Sequence, residues 1–95
     1  MTVRWATLAA ADIRSLRKYI NQREPKAGSR VARTIISTAN RLLSENIMIG
    51  HPGRVPGTRE LVIPETSYIA PYRVHFGYIE ILRVFHHGQP WPGQL

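Results

Sequence analysis

The chain has no cysteine, which removes disulfides, thiolate metal sites and a cysteine nucleophile together. Acidic residues are scarce: six Asp and Glu against thirteen Lys and Arg leave a formal charge of +7. Lysine is scarcer still, with Lys18 and Lys26 the only two, so nearly all the positive charge sits on arginine. Arginine's planar fork pairs bidentately with phosphate or carboxylate and stacks on bases. The excess therefore points to an anionic partner, nucleic acid or an acidic protein. Plain solubility, with arginine favoured by genomic base composition, is the simpler alternative. No apolar run approaches the roughly 18–20 residues of a membrane span, and the N-terminus lacks a signal-peptide layout. The expectation is a cytoplasmic protein with no membrane partner. His51, His75, His86 and His87 show no zinc-like spacing, so neither a metal nor a cofactor is expected.

What is present suits one small domain, residues 1–95, near the lower end of the sizes that fold unaided. Thr2–Trp5 alternates and reads as a short strand. Ala9, Ile13, Leu16 and Ile20 recur at helical spacing, with Thr7 as a candidate N-cap and Asn21–Arg23 as the end. A second helix is predicted from about Pro25 to Glu45, with Val31, Ile35, Ala39 and Leu42 as its stripe, widened by Ala32, Ile36 and Leu43. Two such helices joined by a few residues make an antiparallel hairpin. Ile47–Pro56 is a loop punctuated by glycine and proline. Three strands follow: Thr58–Ile63, Tyr68–Phe76 and Tyr78–His86, rich in β-branched and aromatic residues and broken at Pro64 and Gly77. The predicted fold class is α+β, in the order β-α-α-β-β-β. The helical hairpin packs on one face of a small antiparallel sheet of three or four strands.

Strand parity groups the candidate functional residues. In the last strand Ile79, Ile81, Arg83 and Phe85 share one face, opposite Tyr78, Glu80, Leu82, Val84 and His86. Arg59, Arg73, Arg83 and His86 then belong to one sheet as a cationic surface. Buried arginines need partners, so Arg73 and Arg83 are each either paired, with Glu80 a candidate, or aimed at a partner. His86 carries the side-chain type most often used for acid–base work; a strand-end histidine bonded to backbone is the blander reading. Trp5 and Tyr72 read as core. Trp91, between Pro90 and Pro92, is either tucked against the sheet or a contact anchor of the kind enriched in binding hot spots.

Several motifs carry a family likeness. The opening strand ending in Trp5 followed by Ala9, Asp12 and Ile13, then GRVPGTREL (Gly53–Leu61), YIAPYRV (Tyr68–Val74) and IEILRVFHHGQPWP (Ile79–Pro92), resemble the RelE/ParE superfamily of toxins. The blocks span nearly the whole chain in order. The resemblance implies the toxin half of a bacterial type II toxin–antitoxin module, in a hetero-oligomeric complex with a cognate antitoxin. It also implies a helical hairpin on a small antiparallel sheet.

The superfamily divides by mechanism. The branch similar to RelE cuts ribosome-bound mRNA without a metal, which needs a base for the 2′-OH, a cation for the phosphorane and an acid for the leaving oxygen. Arg59, Arg73, Arg83 and His86, with Glu60, are the residues here that such an activity would draw on. The chain departs from that branch at Leu61, Ile69, Gln89 and Trp91. The GTREL, YRV and LRVFH motifs and the terminal WP are closer to the branch similar to ParE. Its members act by poisoning DNA gyrase and need a binding surface rather than a catalytic constellation. On that reading Arg59, Arg73, Arg83, His87 and Trp91 are the candidates for contact with target or partner. A third possibility, a basic nucleic-acid-binding module with no toxin role, requires exposed aromatics interleaved with a continuous basic groove.

Overall fold

The computed structural model describes residues 1–95. A first strand β1 (Thr2–Trp5) leads into helices α1 (Thr7–Arg23) and α2 (Ala27–Glu45). Strands β2 (His51–Pro52), β3 (Arg59–Val62), β4 (Tyr68–His75), β5 (Tyr78–Ile81) and β6 (Phe85–His86) follow. The sheet runs β1-β5-β4-β3-β2, with β6 also laddered onto β4. β3, β4 and β5 form the expected antiparallel meander. β1 adds to its edge in parallel with β5, so the sheet is mixed. The helical hairpin is the crossover that makes this parallel pairing possible, since parallel neighbours cannot be joined by a tight turn.

The helices cover one face of the sheet. Ala9 and Leu16 of α1 and Ala32, Ile35, Ala39 and Leu43 of α2 pack against Leu61, Ile63, Ala70, Tyr72, Ile79, Ile81 and Val84. Every fully buried isoleucine in this layer contributes about 1.5–3 kcal/mol. Trp5 sits at the margin of the cluster, and its indole N–H donates to Asn40 Oδ1 at 3.0 Å. Ile36 is instead partly exposed and does not widen the stripe.

The N-cap of α1 and the start of α2 differ from expectation for local reasons. Ala6, not Thr7, is the N-cap of α1, because its N–H is held by Ile81 O at 2.9 Å in continuation of the β1 ladder. α2 begins at Ala27 rather than Pro25, since Lys26 turns the chain at φ +69° and Pro25 lies in that turn. Close helix contact follows at once. Gly28 N–H donates to Asn21 Oδ1 at 2.8 Å, and a Cβ on Gly28 would lie 2.2 Å from Arg17 O.

The last strand is not continuous. From Ile81 to Phe85 the chain advances four residues, while their partners Tyr72 and Ile69 on β4 are three apart. Leu82 N–H still reaches Pro71 O at 2.8 Å, so the extra residue falls at Arg83–Val84. A one-residue bulge of this kind reverses the parity beyond it. Val84 joins the helix-side core with Ile79 and Ile81, while Phe85, opposite Ile69, turns to the outer face. The face grouping expected from an unbroken strand is corrected accordingly.

Candidate functional site

The aspartate of α1 sits on this bulge. Asp12 Oδ2 accepts from Arg83 Nε at 2.8 Å and from Val84 N–H at 2.9 Å, and Oδ1 accepts from a terminal Arg83 nitrogen at 3.1 Å. The bulge frees the Val84 N–H from the ladder, and Asp12 satisfies it. The bond to Asp12 raises the pKa of Arg83 above its ordinary range, so the guanidinium stays charged. Its remaining nitrogen donates to Gln94 O at 2.5 Å. Arg83 therefore pairs with Asp12, not Glu80, and it ties the C-terminal tail to α1.

Arg59 lies on the helix side of the sheet, opposite Tyr72. Its Nε donates to Gly50 O at 2.7 Å and a terminal nitrogen to Met48 O at 3.2 Å. The buried Tyr72 hydroxyl donates to Ile47 O at 2.8 Å and accepts from Gly50 N–H at 3.0 Å. The two side chains together clamp the loop after α2.

Glu60 and Arg73 lie on the outer face. Glu60 is 1% exposed and saturated: Arg54 gives it a backbone N–H at 2.8 Å and a guanidinium at 3.3 Å, and His51 Nε2 is 3.5 Å away. The same Arg54 guanidinium lies 4.1 Å over the Trp91 ring, which meets Phe85 edge-on at 5.2 Å. Arg73 stands opposite Glu80 and is half-buried, yet it makes no ion pair; Glu80 is instead bonded to His75 at 2.9 Å. Arg54 and His51, both in or beside the loop before β3, were not singled out from sequence; no periodicity marks a residue in such a loop.

His86 faces the other way. It lines a cleft of about 710 Å³ between α1 and the free edge of β6, with Asp12, Ser15, Leu16, Tyr19 and Tyr68. Its Nδ1 accepts from Gly88 N–H at 3.0 Å and its ring meets Tyr68 edge-on at 5.5 Å. Burial, reinforced by Tyr19, pushes the Tyr68 hydroxyl above its usual pKa near 10. His87 is exposed, stacked on His86, with its N–H on Ser67 O at 2.8 Å. The candidates are thus dispersed. Arg73 and Trp91 share the outer face with Glu60, Arg59 and Arg83 bond to the chain itself, and His86 lies across the sheet. No three His, Asp or Glu side chains are gathered to hold a metal ion.

The comparisons with known proteins agree with this frame. The model of the ParE toxin of the type II toxin–antitoxin system parDE matches residues 3–91. The chain belongs to the ParE toxin family. Among its relatives is the toxin candidate Y4kP of Sinorhizobium fredii, 40% identical over 93 residues, spanning 98% of this chain and 95% of that one. A chain of the chromosomal ParDE toxin–antitoxin system from P. aeruginosa superposes with a TM-score of 0.83 at 27% identity, covering 90% of this chain and 95% of its own. The RelBE2 toxin–antitoxin complex of Mycobacterium tuberculosis holds a chain with a TM-score of 0.66 at 27% identity, covering 93% and 92%. The ParE family places the chain as a toxin of a type II toxin–antitoxin system. None of its helices is long and apolar enough to cross a membrane.

Proposed function

We propose that this ParE-family toxin arrests growth by binding, not by cutting RNA: it traps DNA gyrase on cleaved DNA and is held inactive by a cognate antitoxin. The observation that carries the reading is the dispersal of the candidate catalytic groups. Cleaving a phosphodiester requires a base, a cation and an acid facing one reacting phosphate. Here Glu60 is buried and saturated, His86 lies on the opposite side of the sheet from Arg73, and Arg59 is bonded to Gly50 and Met48 carbonyls. What remains is a charged surface with an unpaired Arg73 and an Arg54–Trp91 stack, suited to docking.

An antitoxin partner is supported by the ParDE and RelBE2 systems that hold the similar chains. The +7 charge suits an acidic antitoxin segment. The test is to incubate the purified toxin with gyrase and closed circular DNA, then denature the protein. Linearised DNA that depends on gyrase supports the reading. Intact DNA, together with cleavage of mRNA on added ribosomes, rejects it in favour of the interferase alternative.

A further inference from the structure

The hairpin joining β4 to β5 turns through only two residues, Phe76 and Gly77, with His75 paired opposite Tyr78. Gly77 takes φ +87°, which glycine adopts without strain. Phe76 is fully exposed, whereas no other large apolar side chain at the surface exceeds 57% exposure. Two-residue turns favour Asn, Asp and Gly. A phenyl ring adds nothing to such a turn, and Phe76 is not among the residues packed on the core. Folding gives no reason for it to be there.

The base of the hairpin is ordered. Tyr78 stands between β4 and β1, with the His75 ring stacked on it at 4.5 Å and the Arg4 guanidinium 4.2 Å over its ring. The exposed ring therefore projects from a preformed support, which lowers the entropy lost on docking. Arg73, unpaired, lies on the same face as His75, two residues or roughly 7 Å back along the strand.

We propose that Phe76 is the anchor by which the toxin engages the protein it inhibits, inserting into an apolar pocket rimmed by carboxylates that meet Arg4 and Arg73. The inference rests on the reading of the chain as a toxin that works by binding. A protein pocket fits better than a nucleic-acid strand. Strand binders present successive open aromatic faces for stacking, and Tyr78 is already covered by His75 and Arg4. Trp91, which the sequence left as either tucked against the sheet or a contact anchor, has one face on Arg54 and an edge on Phe85. Phe76 has no such partner.

The test expresses wild type, Phe76→Ser and Phe76→Trp without antitoxin in a susceptible bacterium, reading growth and an SOS reporter. Each is also purified with its antitoxin, and each is titrated with a short DNA duplex. The dose of Phe76→Ser needed for arrest is expected to rise roughly 30-fold, as for loss of a hot-spot residue. Phe76→Trp stays near wild type, and all three keep the same thermal midpoint and antitoxin capture. Arrest by Phe76→Ser at the wild-type dose overturns the proposal. So does selective loss of antitoxin capture, which would make the ring an antitoxin contact, or of duplex binding, which would make it a wedge between bases. If wild type arrests growth without SOS while Phe76→Ser is harmless, the gyrase reading falls and the anchor stands.

Discussion

Asp12 is the chain's single aspartate, and three hydrogen bonds end on it, two from Arg83 and one from the Val84 N–H. Its side chain and that of Arg83 are both mostly buried, at 18% and 20% exposed. Removing one charge of such a pair leaves the other desolvated and alone, which costs more than the pair itself contributes. Asp12→Asn is therefore expected to destabilise the fold by about 2–4 kcal/mol, read as a lower urea midpoint. Tyr68 sets a pH limit of a different kind. Its pKa is raised in the folded state by burial and then by Tyr19. The stability it contributes is thus complete below its unfolded pKa and is lost as pH rises through the higher folded value. Urea midpoints should start to fall only as pH rises past the ordinary tyrosine pKa of about 10, and Tyr68→Phe should flatten that fall.

Secondary-structure elements were legible where period alone decides them. The spacing of Ala9, Ile13, Leu16 and Ile20 and the alternation of Tyr68–Val74 located α1 and β4 with their core faces. What escaped was set by contacts distant in sequence. The bulge at Arg83–Val84 depends on Asp12, more than seventy residues earlier, and nothing in Tyr78–His86 interrupts the alternation to announce it. The same slip scattered the candidate site, because parity carried across the bulge puts Phe85 and His86 on the wrong sides. Arg59 was unreadable for a related reason: the Gly50 and Met48 carbonyls that hold it belong to a loop without pattern. Gly28 provides a test at this scale. Alanine is the better helix former by about 1 kcal/mol, yet its Cβ would meet Arg17 O at 2.2 Å. Gly28→Ala should therefore destabilise, by about 1–3 kcal/mol if the helices part to admit it, as thermal unfolding would show.

The whole molecule is small, with a Cα radius of gyration of 12.7 Å, and it carries +7 on 95 residues. A core of this size leaves little stability in reserve. An acidic partner that binds only the folded toxin should add about 2.7 kcal/mol when present at a hundred times its dissociation constant. The thermal midpoint of the toxin should accordingly rise with antitoxin concentration, and the gain should shrink in high salt. The distinction between binding and cutting also belongs to this scale, because it turns on how the sheet and tail divide the basic residues among separate surfaces. A short pulse of toxin expression in a susceptible bacterium, with SOS induction and transcript integrity read side by side, tests it most directly. Filamentation and SOS induction with intact mRNA is the predicted result. Codon-positioned mRNA cleavage without SOS would contradict the account, and would mean that Arg59, Arg73, Arg83 and His86 act together at one phosphate after all.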